Sequence, residues 1–144
     1  MYGWTGRRLV VDMSQGKIVE EEVPARLRLD FLGGRGLNGR VLWDELEPGI
    51  DPLGPDNVLV LGIGPLAGSI APASSRWTAT SKSPLTGAFG DGNGGGDFAA
   101  ELRYAGYDQI IVRGRSPKPV YLWIKDGKAE LKDASALWGK TTVE

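Results

Sequence analysis

Cysteine and histidine are both absent from the 144 residues. Without thiolates the chain can form no disulfide and can ligate no iron–sulfur cluster of its own, and Cys/His zinc sites are excluded with them. Ser–His and Cys–His nucleophilic catalysis falls for the same reason. No apolar run approaches the roughly 18 residues that a membrane-spanning helix needs. The opening stretch MYGWTGRRLVV lacks the apolar core of a secretory signal, so the expected location is the cytoplasm. A net charge of -1 offers no electrostatic footprint for nucleic acid or an acidic membrane, and neither is expected as a partner.

What is present is a core and a great deal of glycine. The 41% apolar content fits a globular domain rather than a disordered chain. A single domain of this length buries roughly 70% of its unfolded surface. The 22 glycines exceed the usual share of about 7%. They cluster instead of repeating at a fixed period, so they mark turns and close approach rather than a fibre.

Local patterns give most of the elements. Two apolar-alternating runs over 7–13 and 17–23 flank Ser14-Gln15-Gly16 and predict a hairpin. Pro24 opens a short helix over 25–32 whose Leu27, Phe31 and Leu32 share a face, with Gly33 and Gly34 ending it. Leu37, Val41, Leu42 and Leu46 share one face of a second helix over 37–45. The run NVLVLG over 57–62 reads as a strand buried on both sides, and RWTATS over 76–81 as a further strand. A short strand over 88–90 precedes a glycine-dense loop, Gly90 to Gly96. A helix over 97–105 follows with Phe98, Leu102 and Ala105 inward and Gly106 as its cap. A strand over 108–113 comes next. Asp126-Gly127 then joins two strands in the clearest hairpin of the chain, and a helix-like segment begins at Ser135. The chain stops at Glu144 with no stop signal or compositional tail, which reads as truncation of a domain covering 1–144.

The glycine-dense loop is the first candidate site. Bare backbone amides leading into a helix suit phosphate or another anion. Asn93 can cap locally or turn its carbonyl towards a hard cation such as magnesium. Arg76 supplies a planar, permanently charged fork for phosphate or a polar ring edge, although an ordinary surface arginine is the simpler reading of it alone. Arg35, Lys82 and Arg103 read as solvent-facing charges, Asp91 and Asp97 as loop carboxylates, and Trp77, Tyr121 and Trp123 as core or edge residues. Two dinucleotide fingerprints are formally present: Gly90, Gly92 and Gly95, and Gly62, Gly64 and Ala67. The first lacks a long strand before it, and the second contains Pro65 with no helical pattern behind it. A turn-rich connection without a ligand also remains open for the loop.

Five stretches together carry a resemblance. They are Met1-Tyr2-Gly3-Trp4; Phe31-Leu32-Gly33-Gly34-Arg35-Gly36-Leu37; Gly64-Pro65-Leu66-Ala67-Gly68 with Ala71-Pro72; Ser74-Ser75-Arg76 through Lys82-Ser83-Pro84-Leu85-Thr86-Gly87, Gly95-Gly96 and Ala105-Gly106-Tyr107-Asp108; and Lys118-Pro119-Val120-Tyr121 with Leu137-Trp138-Gly139. In order and spacing the chain resembles the N-terminal domain of the tungsten-dependent aldehyde:ferredoxin oxidoreductases. The resemblance implies an α+β fold: a β-rich base of antiparallel sheets with a few short helices, on which a tungsten (or molybdenum) bis-pterin lies. It implies that Arg76 sits between pterin and cluster, and that the Asn93 main-chain carbonyl reaches the magnesium bridging two pterin phosphates. Backbone amides would approach the cofactor at Gly95, with Gly94 and Gly96 beside it. Gly94 and Asp97 stand where the family more often has a small polar residue and an aromatic.

The activity implied is oxidation of an aldehyde to a carboxylate, with electrons passing through a [4Fe–4S] cluster to ferredoxin. The cluster cysteines and the substrate pocket would lie in domains or subunits outside this chain. The isolated chain is therefore expected to be inactive, and to self-associate through an uncovered apolar face. The competing expectation is a non-catalytic module of the same fold that holds a phosphate-bearing ligand or a partner. A dinucleotide domain would instead show a parallel sheet.

Overall fold

The computed structural model describes residues 3–144, so the Met1-Tyr2 part of the first resembling stretch lies outside the described residues. Strand β1 (Arg7–Asp12) turns through Gly16, at φ 64°, into β2 (Lys17–Glu22). Helices α1 (Ala25–Phe31) and α2 (Arg35–Glu45) follow, then β3 (Val58–Ile63), β4 (Trp77–Lys82) and β5 (Phe89–Gly94). Helix α3 (Phe98–Tyr104) leads to β6 (Gln109–Arg113) and the hairpin of β7 (Val120–Lys125) and β8 (Lys128–Asp133).

One six-stranded sheet runs β2-β1-β6-β3-β4-β5, and β7-β8 forms a separate ribbon. The α+β class and sheet-rich architecture are as expected. All pairings are antiparallel except that of β1 with β6, which is parallel. The two strands of that pair lie about a hundred residues apart in the chain, beyond the reach of local patterns.

The sheet separates two cores by strand alternation. On one face Leu9, Val11, Ile63, Ile110 and Tyr107 meet Ala99 and Leu102 of α3, and Leu122, Ile124 and Leu131 of the ribbon close over them. On the other face Val10, Val58, Val60 and Ile111 meet Val41 and Leu42 of α2. The α2 stripe is thus as its spacing predicts.

Several local expectations change. Helix α1 buries none of its residues, and Leu32 at its end takes φ 61° itself, ahead of the two glycines. Gly33 is instead needed for contact: a Cβ there would sit 2.6 Å from the Ile63 carbonyl, so glycine lets the start of α2 press on the end of β3. Strand β3 is open on one side, with Leu59 42% exposed, because α3 and the ribbon do not reach that part of the sheet. Ala99 replaces Phe98 as the inward residue of α3, and Phe98 packs at its edge on Trp77 with ring centroids 5.3 Å apart. The segment after Ser135 makes turns and no helix.

Candidate functional site

The largest revision concerns the glycine-dense loop. Its first half is strand: β5 pairs with β4 in the register Trp77↔Gly94, Thr78↔Asn93, Ala79↔Gly92, Thr80↔Asp91. Only 95–97 is left as a turn before α3. That helix has seven residues and no side-chain cap.

The β4–β5 pairing sorts the residues by face. Phe89, Asp91 and Asn93 alternate with Gly90, Gly92 and Gly94, so one face of β5 carries Phe89 at one end and the polar Asp91 and Asn93 towards the other, and the opposite face has no side chains. On the polar face Arg35 of α2 donates to Asp91 Oδ2 through both Nε and Nη2, at 2.9 and 2.6 Å. The Thr78 hydroxyl donates to Asn93 Oδ1 at 2.8 Å, and Asn93 Nδ2 reaches Asp91 Oδ2 at 3.5 Å. On the bare face a shallow groove of about 290 Å³ runs over Leu59, Ala79, Ser81, Gly90 and Gly92.

The phase of the ladder fixes which backbone groups are free. Ser83 N–H donates to the Ala88 carbonyl at 2.8 Å, which makes 83 and 88 a hydrogen-bonded pair. Alternation then makes Ser81/Gly90, Ala79/Gly92 and Trp77/Gly94 the pairs that exchange bonds across the strands. Asn93 and Asp91 fall between them. Their N–H and C=O groups face away from β4, off the free edge of the sheet. The Asn93 carbonyl is thus outside the ladder while its side chain is tied to β4.

Arg76 stands immediately before β4, across from Gly95 in the same register. It is exposed, and among the described residues its guanidinium has no hydrogen bond or ion pair. The neighbouring Ser75 hydroxyl donates to the Gly96 carbonyl, which ties the turn to the strand entry. A Cβ built at Gly92, Gly95 or Gly96 would meet nothing within 4 Å, so the backbone there is open to an approaching group. Gly94 differs: a Cβ would lie 2.4 Å from the Trp77 ring, so its glycine is required by packing. The structure therefore brings Arg76, Asn93, Gly94, Gly95 and Gly96 to one end of one hairpin.

Neither dinucleotide fingerprint survives. Gly90 and Gly92 are strand residues of an antiparallel pair, and Gly62 lies within β3 against the side chain of Asn38. Two residues that sequence reasoning passed over matter most for the site. Asn38, fully buried on α2, donates from Nδ2 to the Thr78 carbonyl and to Thr80 Oγ1, each at 3.0 Å, and Gln109 Nε2 donates to its Oδ1 at 3.0 Å. Thr78 itself is 6% exposed. The available signal was a polar residue on the apolar stripe of α2, where a buried amide needs partners.

The profile of the "Aldehyde ferredoxin oxidoreductase, N-terminal domain" matches residues 8–144. The chain is 47% identical over 144 residues to a tungsten-containing aldehyde ferredoxin oxidoreductase of Pyrococcus furiosus, and 48% identical to one of Thermococcus kodakarensis. Each alignment covers 100% of this chain and 24% of the relative.

The chain belongs to the aldehyde ferredoxin oxidoreductase family.

A solved structure, the active site complex BamBC of benzoyl coenzyme A reductase with 1,5-dienoyl-CoA, superposes with a TM-score of 0.96 at 41% identity. It covers 99% of this chain and 22% of that one. Within this aldehyde ferredoxin oxidoreductase domain, several resembling stretches turn out to carry the scaffold. Asp108 accepts from the Thr5 and Gly6 amides and from Arg103, whose second amino group donates to the Gly64 carbonyl at 2.7 Å. Burial pulls the Arg103 pKa down, and the neighbouring Asp108 charge opposes that shift. Tyr107 shares its hydroxyl proton between Glu20 and the Gly127 carbonyl, and burial followed by the Glu20 contact pushes its pKa up.

Proposed function

We propose that this domain seats the phosphate end of a tungsten (or molybdenum) bis-pterin in an aldehyde-oxidising enzyme. The carrying observation is convergence at one hairpin end: an exposed guanidinium with no partner among the described residues, a turn of glycine backbone at 95–96, and a carbonyl facing off the sheet edge. Each suits one part of such a cofactor. The Arg76 guanidinium binds a phosphate oxygen or a polar ring edge. The backbone at Gly95 and Gly96, with Gly94 held under Trp77 beside it, admits amide contacts to phosphate. The outward Asn93 carbonyl would offer a hard oxygen ligand to a magnesium ion accompanying the phosphates.

When bound, the tungsten centre would supply two-electron oxidation chemistry for an aldehyde, with a [4Fe–4S] cluster ligated outside this chain and ferredoxin as the electron acceptor. The chain's own residues bind and orient. Tungsten appears in the names of the relatives; their length, about four times that of this chain, leaves room for the cluster ligands and the pocket.

The test is Arg76→Ala in the enzyme assembled with its remaining domains or subunits. Losing one charge-assisted contact of about 1.5–3 kcal/mol lowers tungsten and pterin content, or aldehyde-dependent ferredoxin reduction, by about tenfold or more. Far-ultraviolet circular dichroism stays unchanged, since the side chain is exposed. Unaltered metal content together with an unaltered rate would remove Arg76 from the site.

A further inference from the structure

An edge strand rich in glycine is a poor place to hold a ligand atom still. Asn93 occupies a ladder position with no bond to β4, has glycine on both sides, and sits one residue from the end of β5. Each glycine adds backbone freedom, and strand ends fray first. Yet the Asn93 side chain is clamped. The Thr78 hydroxyl donates to its Oδ1 at 2.8 Å, and the Asp91 carboxylate, itself held by Arg35, accepts from its Nδ2 at 3.5 Å. Thr78 is anchored in turn. Its carbonyl accepts from Asn38 Nδ2 at 3.0 Å, Asn38 is 0% exposed, and the same amide group contacts Val60, Thr80 and Gln109 on three strands.

We propose that Thr78 is a positioning residue for the cofactor seat: with its main-chain carbonyl held to the core by Asn38, its hydroxyl holds the Asn93 side chain so that the Asn93 main-chain carbonyl keeps its outward orientation. Asn93 thus spends its side chain on the scaffold and offers its backbone to the ligand. This rests on the reading of Asn93 as a magnesium-facing carbonyl and adds the device that orients it. Arg35 has a supporting part, because it neutralises Asp91 beside a seat meant for phosphate.

The experiment uses the 144-residue chain and four variants: Thr78→Val, Thr78→Ser, Asn93→Ala and the Thr78→Val/Asn93→Ala double. Thr78→Val keeps the shape and removes the donor, whereas Thr78→Ser keeps the hydroxyl. Amide hydrogen exchange is the first readout. Thr78→Val should exchange about fivefold faster at Gly92 and Gly94, the amides facing β4, with Val60 and Ile111 unchanged, and Thr78→Ser should restore the wild-type rates. Titration with magnesium pyrophosphate, followed by the amide resonances of residues 93–96, is the second. Thr78→Val and Asn93→Ala should each weaken binding about fivefold, and the double variant should be no weaker than either.

Exchange at Gly92 and Gly94 that ignores the loss of the hydroxyl overturns the proposal. So does an Asn93→Ala effect far larger than that of Thr78→Val, which would make the side chain itself the ligand. If the wild-type chain shows no response to magnesium pyrophosphate while the exchange contrast holds, the cofactor seat is overturned, and with it the ligand half of this proposal. Wild-type exchange rates at Val60 in every variant identify a folded protein, so a failure to fold is not mistaken for a loosened edge.

Discussion

Asp108 accepts three hydrogen bonds, from the Thr5 amide at 3.1 Å, the Gly6 amide at 2.8 Å and Arg103 at 2.6 Å, and is 1% exposed. Through these it joins the entry of β1, the start of β6, α3 and the segment after β3. Removing one partner of a buried pair costs about 3–5 kcal/mol, because the remaining charge stays desolvated. Asp108→Ala should therefore lower urea-unfolding stability by that much, with Arg103 left buried; a loss under about 1 kcal/mol would show that Asp108 holds little. Arg76 behaves oppositely. It is exposed and unpaired among the described residues, so its removal should leave the fold unchanged. The sequence pattern ranks Arg103 with the solvent-facing charges, and the structure reverses that. The difference lies in the partner: Asp108 comes five residues later, across the turn at Gly106, which sets it against Arg103.

Strand β5 shows where legibility in the sequence ends. The hairpin at Asp126-Gly127, with both residues at positive φ, and the α2 stripe of Leu37, Val41 and Leu42 are encoded by near neighbours, and both form as their spacing predicts. FGDGNG carries no such signal. Glycine has low strand propensity, and this strand exists because β4, seven residues back, offers a ladder and Trp77 offers a lid. The co-location of Arg76 with Asn93 to Gly96 was legible as a resemblance, while the outward carbonyl of Asn93 needed the ladder phase and the Asn38–Thr78 anchor needed the tertiary fold. Two glycine substitutions separate the packing role from open backbone. Gly94→Ala drives a Cβ to 2.4 Å from the Trp77 ring and should cost about 1–3 kcal/mol through overpacking. Gly92→Ala meets nothing within 4 Å and should leave stability equal or raise it by about 0.5 kcal/mol. Thermal melts of the two variants check this, and equal effects would mean that Trp77 does not rest on Gly94.

At the scale of the whole molecule, several large apolar side chains lie uncovered. Trp43 is 82% exposed on the outer side of α2, Leu85 is 93% exposed in the β4–β5 turn, and Trp138 is 76% exposed near the chain end. Trp43, Leu42, Leu46 and Phe89 line one groove of about 590 Å³ at the edge of the α2 face. The chain spans 24% of the length of the two relatives named above, so surfaces of this kind fit contact with the remaining polypeptide of such an enzyme. In the isolated chain they meet only water or a second copy. Sedimentation velocity over a concentration series should therefore show the weight-average mass rising above the monomer. Trp43→Glu should shift that rise to higher concentration while changing stability by no more than about 0.5 kcal/mol, because a side chain so exposed contributes little to the folded core. A wild-type chain that stays monomeric throughout would mean that the exposed rings are scattered surface residues rather than a covered face. A Trp43→Glu variant that associates as strongly as wild type would move the contact off α2, towards Trp138 or Leu85.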